Sequence, residues 1–255
     1  MKKLSQKYIS VFAHFDKDNL VDDYVVEYLA ELKKISPKII FVSDCNLRES
    51  ETKKLSNLCE NVIAKRHGEY DFGSYKRGIE FLKNELENYD KLIIANDSCY
   101  LVNPLLPVFE KMAKKDCDFW GMTINHEGYA SHIQSYFMVF GKEVFLSDIF
   151  KQFFSSVKKE ESKNDVIKKY ETSLTQILLK AGFKVESMVE KNYETSSVMS
   201  QSLICGLLES GFPLLKVWAV KLNPNPPELK KIFFELLPKK IFGLEIKSIL
   251  NFFRN

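Results

Sequence analysis

Apolar and polar positions alternate along the first half of the chain in two periods. Short, nearly unbroken apolar runs at Tyr8–Phe15, Lys38–Asp44, Asn61–Ala64 and Lys91–Ala95 predict buried strands. Between them, apolar residues recur at helical spacing. Val25, Val26, Leu29 and Leu32 define a helix over 22–35 that Pro37 stops, and 50–58 is a short amphipathic helix with Ser50 as its N-cap. Tyr75, Ile79, Leu82 and Leu86 share one face of a helix over 73–86, and 104–113 is helical with a proline near its first turn. Strand and helix thus alternate four times, which predicts an α/β fold with a mostly parallel sheet flanked by helices.

Two later runs break that rhythm. Phe119–Thr123 and Ile133–Phe140 read as strands separated by a short polar stretch, which suits a hairpin or an antiparallel edge to the parallel sheet. The pattern from Lys142 to Gly182 is helical, interrupted by the charged stretch 158–165, with Gly182 as a stop. Residues 193–217 show no decisive period. Asn223-Pro224-Asn225-Pro226-Pro227 is a breaker that divides a main domain, 1–222, from a tail, 223–255.

Composition adds exclusions. With 45% hydrophobic and 28% charged residues over 255 positions, the chain is globular in type and not disordered, collagen-like or coiled coil. No apolar run approaches the ~20 residues of a membrane-spanning helix, and the polar start Met1–Lys7 is unlike a signal peptide. The five scattered cysteines form no C-x-x-C pair and read as reduced thiols, and the four histidines have no zinc-site spacing. These features predict a cytoplasmic protein. The net charge of +3 resides in the segment from Glu228 onward, where six basic residues face three acidic ones. A neutral body argues against nucleic acid as a partner.

In an open parallel sheet, ligands collect beyond the carboxyl ends of the strands. Each predicted strand runs into polar groups there: Asp16, Asp18 and Asn19; then Asp44 and Asn46; then Lys65, Arg66, His67 and Asp71; then Asn96, Asp97 and Ser98. One such Asp is ordinarily a turn former or helix cap, whereas four in succession on one rim point to a polar-ligand site. The absence of GxxxxGK[ST] and of GxGxxG disfavours P-loop and dinucleotide chemistry. Asp97 suits a divalent cation that neutralises a diphosphate leaving group, with an Asx-turn as the structural alternative.

The segments VFAHFD (Val11–Asp16), HGEYDFGSYKRG (His67–Gly78), YDKLIIANDS (Tyr89–Ser98), DFWGMT (Asp118–Thr123) and HIQSYFMVF (His132–Phe140) occur together and in order. In that set, spread over about residues 8–182, the chain resembles the rhamnan synthesis protein F family, bacterial polysaccharide enzymes related to GT-A glycosyltransferases. The resemblance implies a GT-A-like fold and transfer of a sugar, with rhamnose the family's namesake, from a nucleotide-diphosphate donor to a growing glycan. It places Asn96, Asp97 and Ser98 at the metal and diphosphate motif, Asp44 at the nucleobase or ribose, and Asp71, Tyr75 and Lys76 over the donor. Asp97 is then the metal ligand for Mn²⁺ or Mg²⁺, although the motif offers one carboxylate where two are usual.

Sugar transfer also requires a stabilised leaving group, for which Arg66, Lys76 and Arg77 are candidates. Trp120, His132 and Gln134 are candidates for holding the acceptor. A general base for the acceptor hydroxyl is sought in Asp118 or Glu171. The tail, with apolar residues from Leu229 to Phe253 interleaved with lysines, reads equally as a helix on the inner face of an anionic membrane, beside a lipid-linked acceptor, or as helices packed on the body. A glycosyltransferase and a non-catalytic GT-A-like scaffold of a polysaccharide assembly complex are the two functional expectations.

Overall fold

In a computed structural model of the chain, residues 5–126, 128–189 and 210–218 are described. In chain order the elements are β1 (Tyr8–His14), α1 (Asp23–Ile35), β2 (Lys38–Ser43), α2 (Glu49–Leu55), β3 (Asn61–Ala64), α3 (Tyr70–Leu82), β4 (Lys91–Asn96) and β5 (Cys99–Leu101). Then follow α4 (Leu106–Met112), β6 (Phe119–Gly121), β7 (Ile124–Asn125), β8 (His132–Ile133) and β9 (Phe137–Gly141). After these come α5 (Lys142–Phe145), α6 (Asp148–Ser156) and α7 (Lys163–Val166). A π-helical segment (Ile167–Thr172) leads into α8 (Ser173–Lys180), and β10 (Val185–Ser187) and β11 (Leu214–Lys216) complete the series.

Seven strands form the main sheet in the order β10-β6-β9-β4-β1-β2-β3. The pairs β4–β1, β1–β2, β2–β3 and β10–β6 are parallel, and antiparallel pairing enters on one flank through β9, which lies between β4 and β6. Two small antiparallel ribbons, β5–β11 and β7–β8, stand apart from this sheet.

The apolar runs are continuous because the sheet is covered on both faces. Along β1, Tyr8 and Phe12 enter one core with Tyr28, Leu29 and Leu32 of α1 and Val108 and Phe109 of α4. Their neighbours Ile9, Val11 and Ala13 enter the other, with Phe72 and Tyr75 of α3 and Phe150 and Phe154 of α6. Alternate residues therefore serve opposite layers, as strand geometry requires. Gly78 lets α3 approach β1 closely: a Cβ there would stand 2.3 Å from Val11 Cγ1.

Several boundaries differ from the sequence reading. The helix expected over 50–58 starts at Glu49, so Ser50 lies inside it and the cap position is Arg48, whose side chain makes no capping bond. α3 starts three residues earlier than expected, with Tyr70 at φ 57° just after the turn at Gly68. Gly182 stops α8 as expected, at φ 90°. β5 was not anticipated; its three residues are too few to show a period. No helix among the described residues is long and apolar enough to cross a membrane. The tail, 223–255, lies outside the described residues.

Candidate active site

The site is built where β1 and β4 end side by side. The Asp97 backbone N–H donates to Ala13 O at 3.2 Å, and the Phe15 N–H returns a bond to Asp97 Oδ2 at 2.9 Å. The Tyr24 hydroxyl donates to Asp97 O at 2.9 Å. The carboxylate is thereby held on the rim with its side chain 14% exposed, recessed among protein atoms yet open to solvent. Only Oδ2 is held by another described residue, which leaves Oδ1 for a ligand.

Its neighbours form a chain of hydrogen bonds. Asp71, in the first turn of α3, accepts from Asn96 Nδ2 at 2.8 Å. Asn96 Oδ1 accepts from the Ser98 N–H at 3.1 Å and from Ser98 Oγ at 2.6 Å. Ser98 Oγ in turn accepts from Lys216 Nζ at 3.0 Å. Lys216 ends β11, opposite Cys99 of β5, and its Nζ lies 4.0 Å from the centre of the Tyr136 ring. Beside this chain, Glu171 Oε1 accepts from the Ser135 N–H at 2.7 Å and from Ser135 Oγ at 2.8 Å. Because β9 is antiparallel, the residues just before it, Ser135 and Tyr136, lie on the same rim: the Asn96 N–H donates to Tyr136 O at 3.2 Å.

Burial dominates the electrostatics. Loss of solvent, reinforced by the Asp71 charge, pushes the Asp97 carboxyl up to about 8. Asp71 is also raised, chiefly by burial, against the opposing pull of Lys216 and the Asn96 amide. His14, which donates to or accepts from Ser43 Oγ through Nδ1 at 2.9 Å, is lowered by burial to about 4, with Asp16 pulling the other way. Burial thus disfavours the charged form of both partners in the 3.9 Å approach of His14 Nε2 to Asp97 Oδ2. Such paired departures in a recess are characteristic of functional carboxylates.

Among the other candidates, Asp44 is occupied internally: Oδ1 accepts from the His67 N–H at 2.5 Å and the Gly68 N–H at 2.9 Å, and Oδ2 from the Gly68 N–H at 3.0 Å. Arg66 donates to Asp44 O at 3.3 Å and lies over the exposed Phe15 ring, 5.1 Å from its centre, so it borders the site. Tyr75 is fully buried and donates to Ser135 O at 2.9 Å, which supports the rim from below. Lys76 points away and donates to Val157 O at 2.6 Å at the end of α6. Arg77 is engaged with Glu69 at 2.9 Å and 3.0 Å.

Trp120 is packed in the core against Phe109 and Phe137, 5% exposed, and presents no face to a sugar. His132 is buried and bonded to Ala130 O at 2.7 Å, while Gln134 accepts from Thr123 Oγ1 at 2.7 Å. Asp118 precedes β6, at the amino end of the parallel strands. Its carbonyl accepts from Gly141, which pairs with Lys91, the first residue of β4, and its carboxylate accepts from the Lys184 N–H at 2.7 Å. The length of β4, roughly 15–20 Å, separates it from Asp97. The structure thus gathers Asp71, Asn96, Asp97, Ser98 and Glu171 and leaves Asp118, Trp120 and Lys76 elsewhere.

Lys216 and His14 are not singled out by the sequence reading. For Lys216 a signal exists: it is the one charge in the apolar run Phe212–Trp218. No cluster of three or more His, Cys, Asp or Glu among the described residues has metal-binding geometry. The donor set suits a divalent ion that draws most of its ligands from water and substrate phosphate, with Asp97 Oδ1 as the protein's direct contribution.

The mostly parallel α/β sheet, flanked by helices and carrying an antiparallel edge, is the GT-A-like architecture expected from the sequence. The chain belongs to the rhamnan synthesis protein F family, whose model matches residues 39–240. It is similar to virulence protein VirA of Vibrio anguillarum, 25% identical over 96% of this chain and 90% of that protein. It is also similar to the uncharacterized protein y4gN of Sinorhizobium fredii, 26% identical over 59% of this chain, which spans 40% of that relative. Among solved structures, a cytidylyltransferase from Leptospira borgpetersenii shares the fold, with 10% identity, a TM-score of 0.50 and 98% of both chains covered. Core-mannan synthase A from Aspergillus fumigatus, in its Mn/GDP form, aligns over 70% of this chain and 72% of its own at 12% identity and a TM-score of 0.43.

Proposed function

We propose that this chain is a glycosyltransferase that moves a sugar, rhamnose by the family's namesake, from a nucleotide-diphosphate donor to a growing bacterial surface polysaccharide or lipid-linked glycan. One observation carries the reading: Asp97, recessed and half-satisfied, stands at the carboxyl end of β4 among Asp71, Asn96 and Ser98. Family membership supports it.

In the reaction, the bond between the anomeric carbon and the diphosphate oxygen breaks, and its electron pair leaves with the diphosphate. The acceptor hydroxyl oxygen bonds to the anomeric carbon and gives up its proton. Glu171 is the base we assign, because Ser135 holds Oε1 and orients the carboxylate on the rim that carries Asp97. Asp118 lies on the opposite rim. Arg66, stacked on Phe15, borders the donor. A Mn²⁺ or Mg²⁺ ion on Asp97 would supply positive charge to the departing phosphate. The amphipathic pattern of 228–255 supports a cytoplasmic protein that meets a lipid-linked acceptor at the inner membrane face.

The test is a thermal-shift screen with dTDP, UDP, GDP and CDP and their sugars, with and without Mn²⁺. A ligand at about 100 times its Kd stabilises by about 2.7 kcal/mol, a readily measured shift. No shift with any of them at millimolar concentration would overturn the reading.

The single carboxylate of Asn96-Asp97-Ser98 favours a second reading, a GT-A-like scaffold without turnover. Sugar transfer or donor hydrolysis by the purified chain excludes that alternative.

A further inference from the structure

We infer that Lys216 is the cation that receives the donor's diphosphate, taking on the role that a second carboxylate and its metal would otherwise fill. This rests on the glycosyltransferase reading.

The placement is enforced by backbone pairing. β11 runs antiparallel to β5 with Lys216 opposite Cys99, and the Val217 N–H donates to Ser98 O at 2.9 Å, which fastens the lysine to the residue after Asp97. The side chain is then aimed. Ser98 Oγ gives its proton to Asn96 Oδ1, so it has only lone pairs left for the ammonium, which sits 3.0 Å away and over the Tyr136 ring. An ammonium has three N–H donors, and among the described residues one is used.

Among the described residues no carboxylate is ion-paired with it; the Asp71 carboxyl feels its charge and is joined to it through Asn96 and Ser98. A half-buried ammonium with donors to spare, on the rim that it shares with Asp71, Asp97 and Glu171, is suited to an anion with several acceptor oxygens. A diphosphate is such an anion. Asp97 alone holds a divalent ion weakly, and a fixed lysine supplies the missing positive charge without one.

The alternative is a purely structural lysine that balances Asp71, and the two roles separate in a titration of the full chain. Binding of dTDP, UDP, GDP and CDP, and of the matching monophosphates, is measured in EDTA, with melting temperature followed in parallel. The wild type is expected to bind one diphosphate about tenfold more tightly than its monophosphate. Lys216→Met is expected to lose that preference, with diphosphate affinity down about tenfold or more and monophosphate affinity within about twofold, while Lys216→Arg keeps most of it.

If Lys216→Met does not fold, Lys216→Gln, which keeps a donor to Ser98 Oγ, is read in the same way. A variant that retains the diphosphate preference, or a wild type whose preference vanishes in EDTA and returns with Mn²⁺, overturns the role of Lys216 while leaving the transferase reading in place. A wild type that binds no diphosphate in either condition overturns both.

Discussion

The Asn96 side-chain amide donates to Asp71 Oδ2 at 2.8 Å, joining the residue before Asp97 to the first turn of α3. An amide suits that position, because a carboxylate there would face Asp71 without the N–H that now joins the two. Asn96→Asp is therefore expected to lower stability by about 2–5 kcal/mol in EDTA and to make the melting temperature rise with added Mn²⁺. Equal melting temperatures for wild type and variant in EDTA would remove the amide from this role.

Asp97 makes stability depend on pH. Its folded value of about 8 lies above the ordinary 3.8, so its contribution is complete below that ordinary value and is lost as pH rises to about 8. His14 acts in the opposite sense: with a folded value near 4 against 6.5, its contribution is present above 6.5 and is lost as pH falls towards 4. Asp97→Asn removes the first dependence and keeps an oxygen to accept from Phe15. It is expected to match the wild type near pH 4 and to exceed it by about 0.5–2 kcal/mol near pH 8, roughly 2–6 °C in melting temperature, while losing sugar transfer. A pH-independent difference between the two proteins would contradict the raised carboxyl.

Two carboxylates compete for the role of base, and their positions separate them. Glu171→Gln retains an oxygen for Ser135, so it is expected to keep nucleotide binding and lower transfer by ~10²–10⁴. Asp118→Asn, on the opposite rim, is expected to leave transfer within about twofold of the wild type. Transfer rates at saturating donor decide the matter, and the reverse ranking would reassign the base to Asp118.

The closeness of α3 to β1 also has a measurable consequence. Gly78→Ala places a methyl group against Val11, which is fully buried. The helix must shift or Val11 must move, at about 1–3 kcal/mol, roughly 3–10 °C in melting temperature. Because α3 carries Asp71, nucleotide affinity is expected to fall together with stability. An unchanged denaturation midpoint would show that the layers can separate freely.

Much of this architecture was legible in the order of residues. β1, β2 and β4 have apolar side chains on both faces, so their runs are continuous and hard to mistake, and the polar residues Asp16, Asp44 and Asp97 within two positions of their ends mark the carboxyl rim. Asp97 is a candidate by this pattern. Other candidates lie away from Asp97 or are engaged, for a definite reason. Trp120 lies in β6 and Asp118 just before it, and the ends of that strand cannot be oriented until its partners are known; Asp44 is consumed by the backbone of a loop more than twenty residues away.

The amino-acid sequence by itself determined the alternating elements, the mostly parallel sheet and its polar rim, because these follow from local periodicity and the twofold alternation of a strand. Only the tertiary structure decided which side chains converge there. Lys216 reaches Ser98 across 118 residues through the pairing of β11 with β5, and Glu171 reaches Ser135 across 36. Pairings over such separations depend on which strand edges and helix ends meet once the two cores have closed, and no local pattern in the chain records them.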